Sequence, residues 1–547
     1  MIPVLFLLCT ALAAATTSQK PNILFILADD LGYNELGFMN NTRGILSPHL
    51  DALATSGVTL KNYYVQPICS PTRSALMTGR YPLALGTQAN VIYWDTPWAP
   101  SLDNKFLPQY LQDPSQDLHY ETAMYGKWHL GMYKEAVTPW KRGFDHHAGY
   151  LQGCGSGWTH VASCCHASAT PTEDKDFICP QTSGGKDYRG YDWFTDGVPD
   201  VTANGTRTAE LIRKHAVFFL NHRQNLSQPF FLYLPFQNIH GPIDAPLTYV
   251  DLYVNRTDLS ENEKVMYGYI SEMDAVVGDI VATLHSTKEY ENTLIIFSSD
   301  NGAPHARQVR ARNWPLRGFK TSIWEGGVKV PGFVSGGSNV LPDQVRGTTS
   351  HALYHVTDWL PTLLHVVGSD EKDTGSKLDG MDVWDSISTG SPSPRTEMVY
   401  NINPLLDGGQ AGFPKAGMRA VINGTNFKLL TYSYSVAGHG GDGNYTGPVT
   451  PSSFPPPQWP KGFGSVMLFD LDNDPSETMD VSKRYTKVVD AMLVRLSEYA
   501  TMSVEPMQWV KPYQGVEYAC ANCTLRQGSD GNPNMFWTPW VKEKVEL

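Results

Sequence analysis

The sequence predicts an α/β fold: a large mixed, mostly parallel sheet flanked by helices, followed by a smaller C-terminal domain on an antiparallel sheet. Three observations carry the prediction. Residues 22–28, 230–236 and 293–297 are short, unbroken apolar runs, the pattern of strands buried on both faces of a parallel sheet. Between the second and third runs, Val265, Met266, Tyr269, Ile270, Met273, Val276, Val277, Ile280, Val281 and Leu284 recur at three- and four-residue steps. A long helix therefore joins two strands, and such a crossover is right-handed. At 547 residues the chain exceeds what one ordinary core sustains, so two domains are expected.

In chain order, residues 1–17 read as a signal peptide, with an apolar stretch ending in Ala13-Ala14-Ala15 before polar residues. The stretch is too short for a bilayer, which takes ~20 residues, and no other run matches it, so no membrane anchor is expected. Residues 18–413 form the large domain. Within it, residues 154–199 mix Gly, Cys, Ser, Asp and aromatics without periodicity and read as a long, disulfide-tied surface loop near a cleft. Ser260 and Glu263 have capping-box spacing ahead of the long helix. Residues 419–422 and 426–430 flank Asn423-Gly424, a hairpin signal. Pro and Gly interrupt residues 437–463, and residues 414–547 are assigned to the small antiparallel domain.

The net charge of −12 argues against a nucleic-acid partner, which would call for a basic surface. It also requires that attraction for an anionic ligand be local to a pocket. Seven Asn-x-Ser/Thr triplets, at Asn40, Asn204, Asn225, Asn255, Asn423, Asn444 and Asn522, fit a glycoprotein of the secretory route, secreted or lysosomal. Outside Cys9 and Cys69, the cysteines are Cys154, Cys164, Cys165, Cys179, Cys520 and Cys523. An even number in an oxidising compartment suggests disulfides, whose connectivity the sequence leaves open.

The chemistry-bearing residues lie just past the apolar runs, at the edge where open α/β sheets bind ligands. Asp29-Asp30 follows the first run, His240 the second and Asp300-Asn301 the third. A bare Asp-Asp pair is usually a solvated turn. Three carboxylates with an amide oxygen, however, make an oxygen-rich site suited to calcium, because magnesium keeps more water and takes fewer protein ligands. Arg73 follows Cys69 by four residues, one face of a helix, either as a catalytic cation or as half of a structural ion pair. Lys127 and His129, at i and i+2, would share a face of an extended segment and offer a cation and a proton carrier to an anion. Lys320 and His240 could each meet a bridging or terminal oxygen. His305, His351 and His355 have no comparable context and read as structural.

The segment Cys69-Ser70-Pro71-Thr72-Arg73, continuing to Thr78-Gly79-Arg80, resembles the signature of type I, formylglycine-dependent sulfatases. Gly126-Lys127-Trp128-His129-Leu130-Gly131, Ser299-Asp300-Asn301-Gly302, Trp324-Glu325-Gly326-Gly327 and Leu468-Phe469-Asp470 add to the likeness. Within that family the chain looks most like the arylsulfatase B (N-acetylgalactosamine-4-sulfatase) branch. The resemblance implies an alkaline-phosphatase-like fold and conversion of Cys69 to Cα-formylglycine by a formylglycine-generating enzyme during maturation. It also implies a Ca2+ ion held by Asp29, Asp30, Asp300, Asn301 and the oxygen of residue 69. Arg73, Lys127 and Lys320 would neutralise the sulfate, His240 with Lys320 would assist the leaving alcohol, and His129 would take a proton as sulfate is expelled. Substrates would be aryl or carbohydrate sulfate esters such as N-acetylgalactosamine 4-sulfate. Thr72 stands where Ser or Ala is more usual, and residues 91–100 lack a cysteine that the arylsulfatase B pattern carries. Two other readings remain at this stage: a phosphodiesterase or phosphonate hydrolase on the same fold, and a non-catalytic glycan-binding protein with an unconverted Cys69.

Overall fold

The computed structural model describes residues 19–41, 43–94, 96–163, 189–304, 312–369, 377–403, 416–432, 465–507, 520–521 and 536–537. The signal-peptide assignment, Cys164, Cys165, Cys179, Cys523, Asn444, Asn522 and His305 lie outside the described residues.

The three apolar runs are adjacent strands. Asn22–Ala28 pairs in parallel with Thr293–Ser299 on one side and Phe230–Pro235 on the other. Glu121–Lys127 and His146–Tyr150 extend this parallel block. Among the described residues the whole sheet has ten strands. In spatial order they are Thr348–His355, Val58–Tyr64, Phe333–Gly336, Thr293–Ser299, Asn22–Ala28, Phe230–Pro235, Glu121–Lys127, His146–Tyr150, Phe194–Thr195 and Val198–Pro199. Antiparallel pairings occur around Phe333–Gly336 and at the Val198–Pro199 edge, so the sheet is mixed and mostly parallel.

The runs are unbroken because each face of the sheet carries its own core. Alternate residues Ile23, Phe25 and Leu27 pack with Tyr233, Trp359 and Leu360 on one face. Leu24, Ile26 and Ala28 pack with Met273, Val277 and Ile280 of the long helix on the other. That helix spans Glu261–Ser286. Ser260 caps it as the spacing predicted: its Oγ accepts from Glu263 N, and Glu263 Oε2 accepts from Ser260 N at 3.0 Å.

A second, four-stranded antiparallel sheet runs Glu397–Ile402, Ala416–Ile422, Thr425–Tyr432, Ser465–Asp470. The Asn423-Gly424 hairpin is present, with φ of 51° and 82° at its two corner residues, the left-handed pair that a two-residue turn matching strand twist requires. The edge strand Glu397–Ile402 comes from the N-terminal side of residue 413. The helix Thr486–Thr501 covers this sheet through Val489, Met492, Leu493 and Leu496.

Residues 154–199 are not wholly loop. Val161–Ser163 pairs antiparallel with Arg189–Tyr191, and Phe194–Thr195 joins the main sheet. These strands are two or three residues long, too short to leave a periodic trace in sequence. Among the described residues, no helix is long and apolar enough to cross a membrane.

Candidate active site

Every sequence-predicted site residue converges at the C-terminal edge of the parallel block. In an extended strand, successive side chains face opposite ways, so Asp29 and Asp30 could not both enter one site if the strand continued. Asp30 instead adopts φ = 65°, which breaks the alternation and turns both carboxylates inward. Main-chain bonds lock the turn: Asp29 N donates to Asn238 O at 2.9 Å and Asp300 N to Ala28 O at 3.0 Å. His129 uses the same device. The strand ends at Lys127, so the i, i+2 face argument does not reach His129, which turns in through φ = 60°. Ser70 Oγ holds its carbonyl at 2.9 Å. A side chain at Gly153 would place Cβ 2.6 Å from the His129 ring.

Cys69 opens the buried helix Cys69–Thr78, with Arg73 one turn on. Arg73 donates to Asp300 Oδ2 through Nε (3.2 Å) and an Nη (2.8 Å), and to Lys127 O (3.1 Å). Lys127 Nζ lies 2.6 Å from Asp29 Oδ2, and Lys320 Nζ 2.6 Å from Asp30 Oδ1. Cys69 Sγ donates to Asp29 Oδ1 at 3.7 Å. His240 Nδ1 is 2.6 Å from Gly241 O, which fixes that nitrogen as the donor and presents Nε2 to Asp30 Oδ2 at 3.8 Å.

Ligand atoms of Asp29, Asp30, Cys69 and His240 all lie within 4.8 Å of one another. His240 thus joins the carboxylate group. Asp300 turns Oδ2 to Arg73 and accepts from Asp30 N on Oδ1. Asn301 Nδ2 donates to Asp30 Oδ1 at 2.7 Å, while its Oδ1 is buried without a hydrogen-bond partner. An orphaned buried amide oxygen beside clustered carboxylates is what a hard, oxygen-seeking cation would satisfy. The residues present therefore fit a calcium ion.

The electrostatics are mutual. Burial opposes ionisation of Asp30, but Lys320 and His240 hold its carboxyl below the usual range. Burial and then Asp29 push Asp300 up. Lys320 resists burial because Asp30 holds its ammonium well above the ordinary value. Burial, then Lys127, Arg73 and Lys320, drive His129 well below its usual range, so its imidazole is neutral. Burial and Asp300 push the Cys69 thiol up to about 12. As a thiol, Cys69 is not a nucleophile at neutral pH, because the thiolate is the reactive form.

Sequence reasoning missed the residues that hold this set in place. Thr72 Oγ1 donates to Asp300 O and accepts from Gln66 N. Asn313 bridges Ala303 N and O just past Asn301. Thr72 acts on main chain 228 positions away, and Asn313 closes a ten-residue loop, neither of which follows a helix or strand period. His355 is buried among Gln66 and Thr357, the structural role expected of it.

Comparison with known proteins adds an independent line. A family model described as "Sulfatase" matches residues 21–369. Arylsulfatase J of Mus musculus is 33% identical over 545 residues, covering 97% of this chain and 82% of its own. N-acetylgalactosamine-6-sulfatase of Sus scrofa is 27% identical, covering 89% and 87%. Among solved structures, Ps i-CgsB in complex with k-i-k-neocarrahexaose superposes with a TM-score of 0.67 at 26% identity, covering 89% of this chain and 94% of that one. With the parallel block, the C-terminal-edge cluster and these matches together, the chain belongs to the sulfatase family of sulfuric ester hydrolases.

Proposed function

We propose that this enzyme hydrolyses aryl or carbohydrate sulfate monoesters through a formylglycine derived from Cys69, beside a calcium ion held by Asp29, Asp30, Asp300, Asn301 and residue 69. The observation that carries the reading is the gathering of Asp29, Asp30, Cys69 and His240 within 4.8 Å, ringed by Lys127, Lys320 and Arg73. A hydrated aldehyde supplies what the unreactive thiol lacks: two hydroxyls on one carbon, one to attack sulfur and one to expel sulfate. A bound calcium would supply positive charge to an incoming sulfate.

The chain's own residues do the rest. Asp29, Asp30 and Asp300 balance Arg73, Lys127 and Lys320 charge for charge, so the cluster without a divalent ion is neutral toward an incoming anion. With the ion it becomes attractive, which answers the repulsion of the overall negative chain. Lys127 and Lys320 fix the sulfate oxygens, and Arg73 anchors Asp300. Lys320 stabilises the departing alkoxide oxygen, and His240, whose Nδ1–H is held by Gly241 O, donates to it from Nε2 when the ring is protonated. Neutral His129 accepts the proton released as sulfate leaves. Such preorganised charge is usually the largest catalytic contribution.

The same reading places the protein on the secretory route, secreted or lysosomal, with a formylglycine-generating enzyme as its maturation partner. Asn40, Asn204, Asn225, Asn255 and Asn423 of the glycosylation triplets are all exposed, as glycan attachment requires. The deciding experiment is a panel of aryl sulfates, sulfated sugars and aryl phosphodiesters assayed on protein from a eukaryotic secretory host. Turnover of sulfate esters in preference to phosphodiesters supports the reading; preference for phosphodiesters overturns it.

A further inference from the structure

The turn that carries Lys320 is built against the N-terminus of the short helix Glu325–Val328. Gly326 N donates to Arg317 O at 2.6 Å, and Lys320 N to Ala303 O at 3.0 Å. Gly302 N, beside Asn301, donates to Gly327 O at 3.0 Å. The packing is backbone on backbone: a Cβ at Gly326 would sit 2.5 Å from Gly318 O, and one at Gly302 would sit 1.8 Å from Gly326 O. Lys320 and Asn301 are therefore placed by one rigid support.

That support is clamped by the small sheet. Glu325 N donates to Glu477 Oε2 at 2.6 Å. Lys428 Nζ, from the strand Thr425–Tyr432, lies 2.9 Å from both Glu325 Oε1 and Glu477 Oε1. Tyr64 donates its hydroxyl to Glu325 Oε2 at 2.7 Å, and Tyr400 donates to Oε1 at 3.1 Å. Arg317 donates to Glu477 O at 3.0 Å and stacks its guanidinium 3.6 Å above the Trp324 ring. Glu477 and Lys428 are wholly buried, and Glu477 takes φ = 56°. Buried charges of this kind add little net stability but fix one geometry.

We infer that Glu477, Lys428 and Arg317 are positioning residues for the sulfatase reaction: the small sheet, through Glu325, sets the place of Lys320 over the sulfate. This rests on the role given to Lys320 in the preceding reading. The three residues touch none of the reacting atoms, so their effect must pass through Lys320 and its turn.

A double-mutant cycle tests it in the full-length glycoprotein. Glu477→Gln keeps the shape and leaves no unpaired charge, but its amide must turn an N–H toward either Glu325 N or Lys428 Nζ. The readouts are kcat on a chromogenic aryl sulfate and, needing no turnover, affinity for inorganic sulfate by calorimetry. The expected result is a loss of about ten-fold in the parent and of less than about two-fold in the Lys320→Ala background. Equal losses in both backgrounds, or a lowered thermal midpoint with unchanged kcat per folded molecule, would overturn the inference while sparing the role of Lys320. Should Lys320→Ala by itself change neither readout, the role of Lys320 falls and the inference with it. If Glu477→Gln does not fold, Arg317→Met carries the same cycle, since it removes the bond to Glu477 O without stranding a charge.

Discussion

Lys127 Nζ lies 2.6 Å from Asp29 Oδ2, and neither side chain is exposed to solvent. Removing two charges from water is costly, and their mutual attraction offsets the loss only when further partners complete the geometry. Here the further partners are Arg73, 3.7 Å from the same Asp29 oxygen, and the Cys69 thiol on the other oxygen. Such a cluster makes poor sense as a stabilising device. It makes sense as a seat for an anion and a divalent cation, whose arrival redistributes the pairs.

Chelation should therefore abolish turnover, and calcium should restore it. Asn301→Ala removes the orphaned amide oxygen beside the Asp29–Asp30 carboxylates and should raise the calcium concentration needed for half-maximal activity by at least about ten-fold. Titration of the chelated enzyme with Ca2+ measures this directly. Restoration by zinc and not by calcium would refute the oxygen-ligand assignment.

Lys320 and His240 face the same Asp30 carboxylate, on the side assigned to the departing oxygen. Lys320→Ala should lower kcat by roughly 10²-fold. The loss should be larger for phenyl sulfate than for 4-nitrophenyl sulfate, whose leaving group needs less help. A rate series across substituted phenyl sulfates reads this out; parallel lines for parent and variant would remove Lys320 from that step.

Glu35 gives a pH signature in stability. Burial pushes its carboxyl up to about 8, against the Arg312 N–H and the Arg43 charge, and its Oε2 has no partner. The folded state therefore keeps a proton that the unfolded chain releases above 4.5. The contribution is fully present below 4.5 and is lost as pH rises to about 8, at up to about 1.4 kcal/mol per pH unit. The thermal midpoint should fall between pH 6 and 8, and Glu35→Gln should flatten that fall. An unchanged slope in the variant would contradict the assignment.

Ser260→Ala removes the side-chain acceptor at the start of the helix that backs the central strands. It should lower global stability by about 1 kcal/mol, measured by denaturant unfolding, with kcat on aryl sulfates unchanged. A drop in kcat per folded molecule would show that this helix does more than support the sheet.

Much of this architecture was legible in sequence because its signals are local. Buried parallel strands leave unbroken apolar runs, the 261–286 helix leaves its three- and four-residue steps, and Asn423-Gly424 announces its hairpin. The site residues were legible because ligands gather at strand ends and because the Cys69 segment is distinctive. What escaped depended on φ and on distance along the chain. The left-handed turns at Asp30 and His129 decide which way side chains face, and although Asp and His enter that region more readily than most residues, they are usually found outside it and so give no warning. The Glu325–Lys428–Glu477 cluster joins residues 49 to 152 positions apart, so each member reads alone as an ordinary charged residue. The two-residue strands within 154–199 are set by their neighbours and carry no period of their own.

The central claim is that residue 69 works as an aldehyde hydrate and not as a thiol. It is tested most directly by mass spectrometry of the peptide bearing residue 69, on enzyme preparations of graded activity from a eukaryotic secretory host, with Cys69→Ala as the control. We expect aryl sulfate turnover to rise in proportion to the fraction carrying formylglycine, and the folded Cys69→Ala protein to be inactive. Full activity in a preparation whose residue 69 is entirely thiol, or in the alanine variant, would contradict the account.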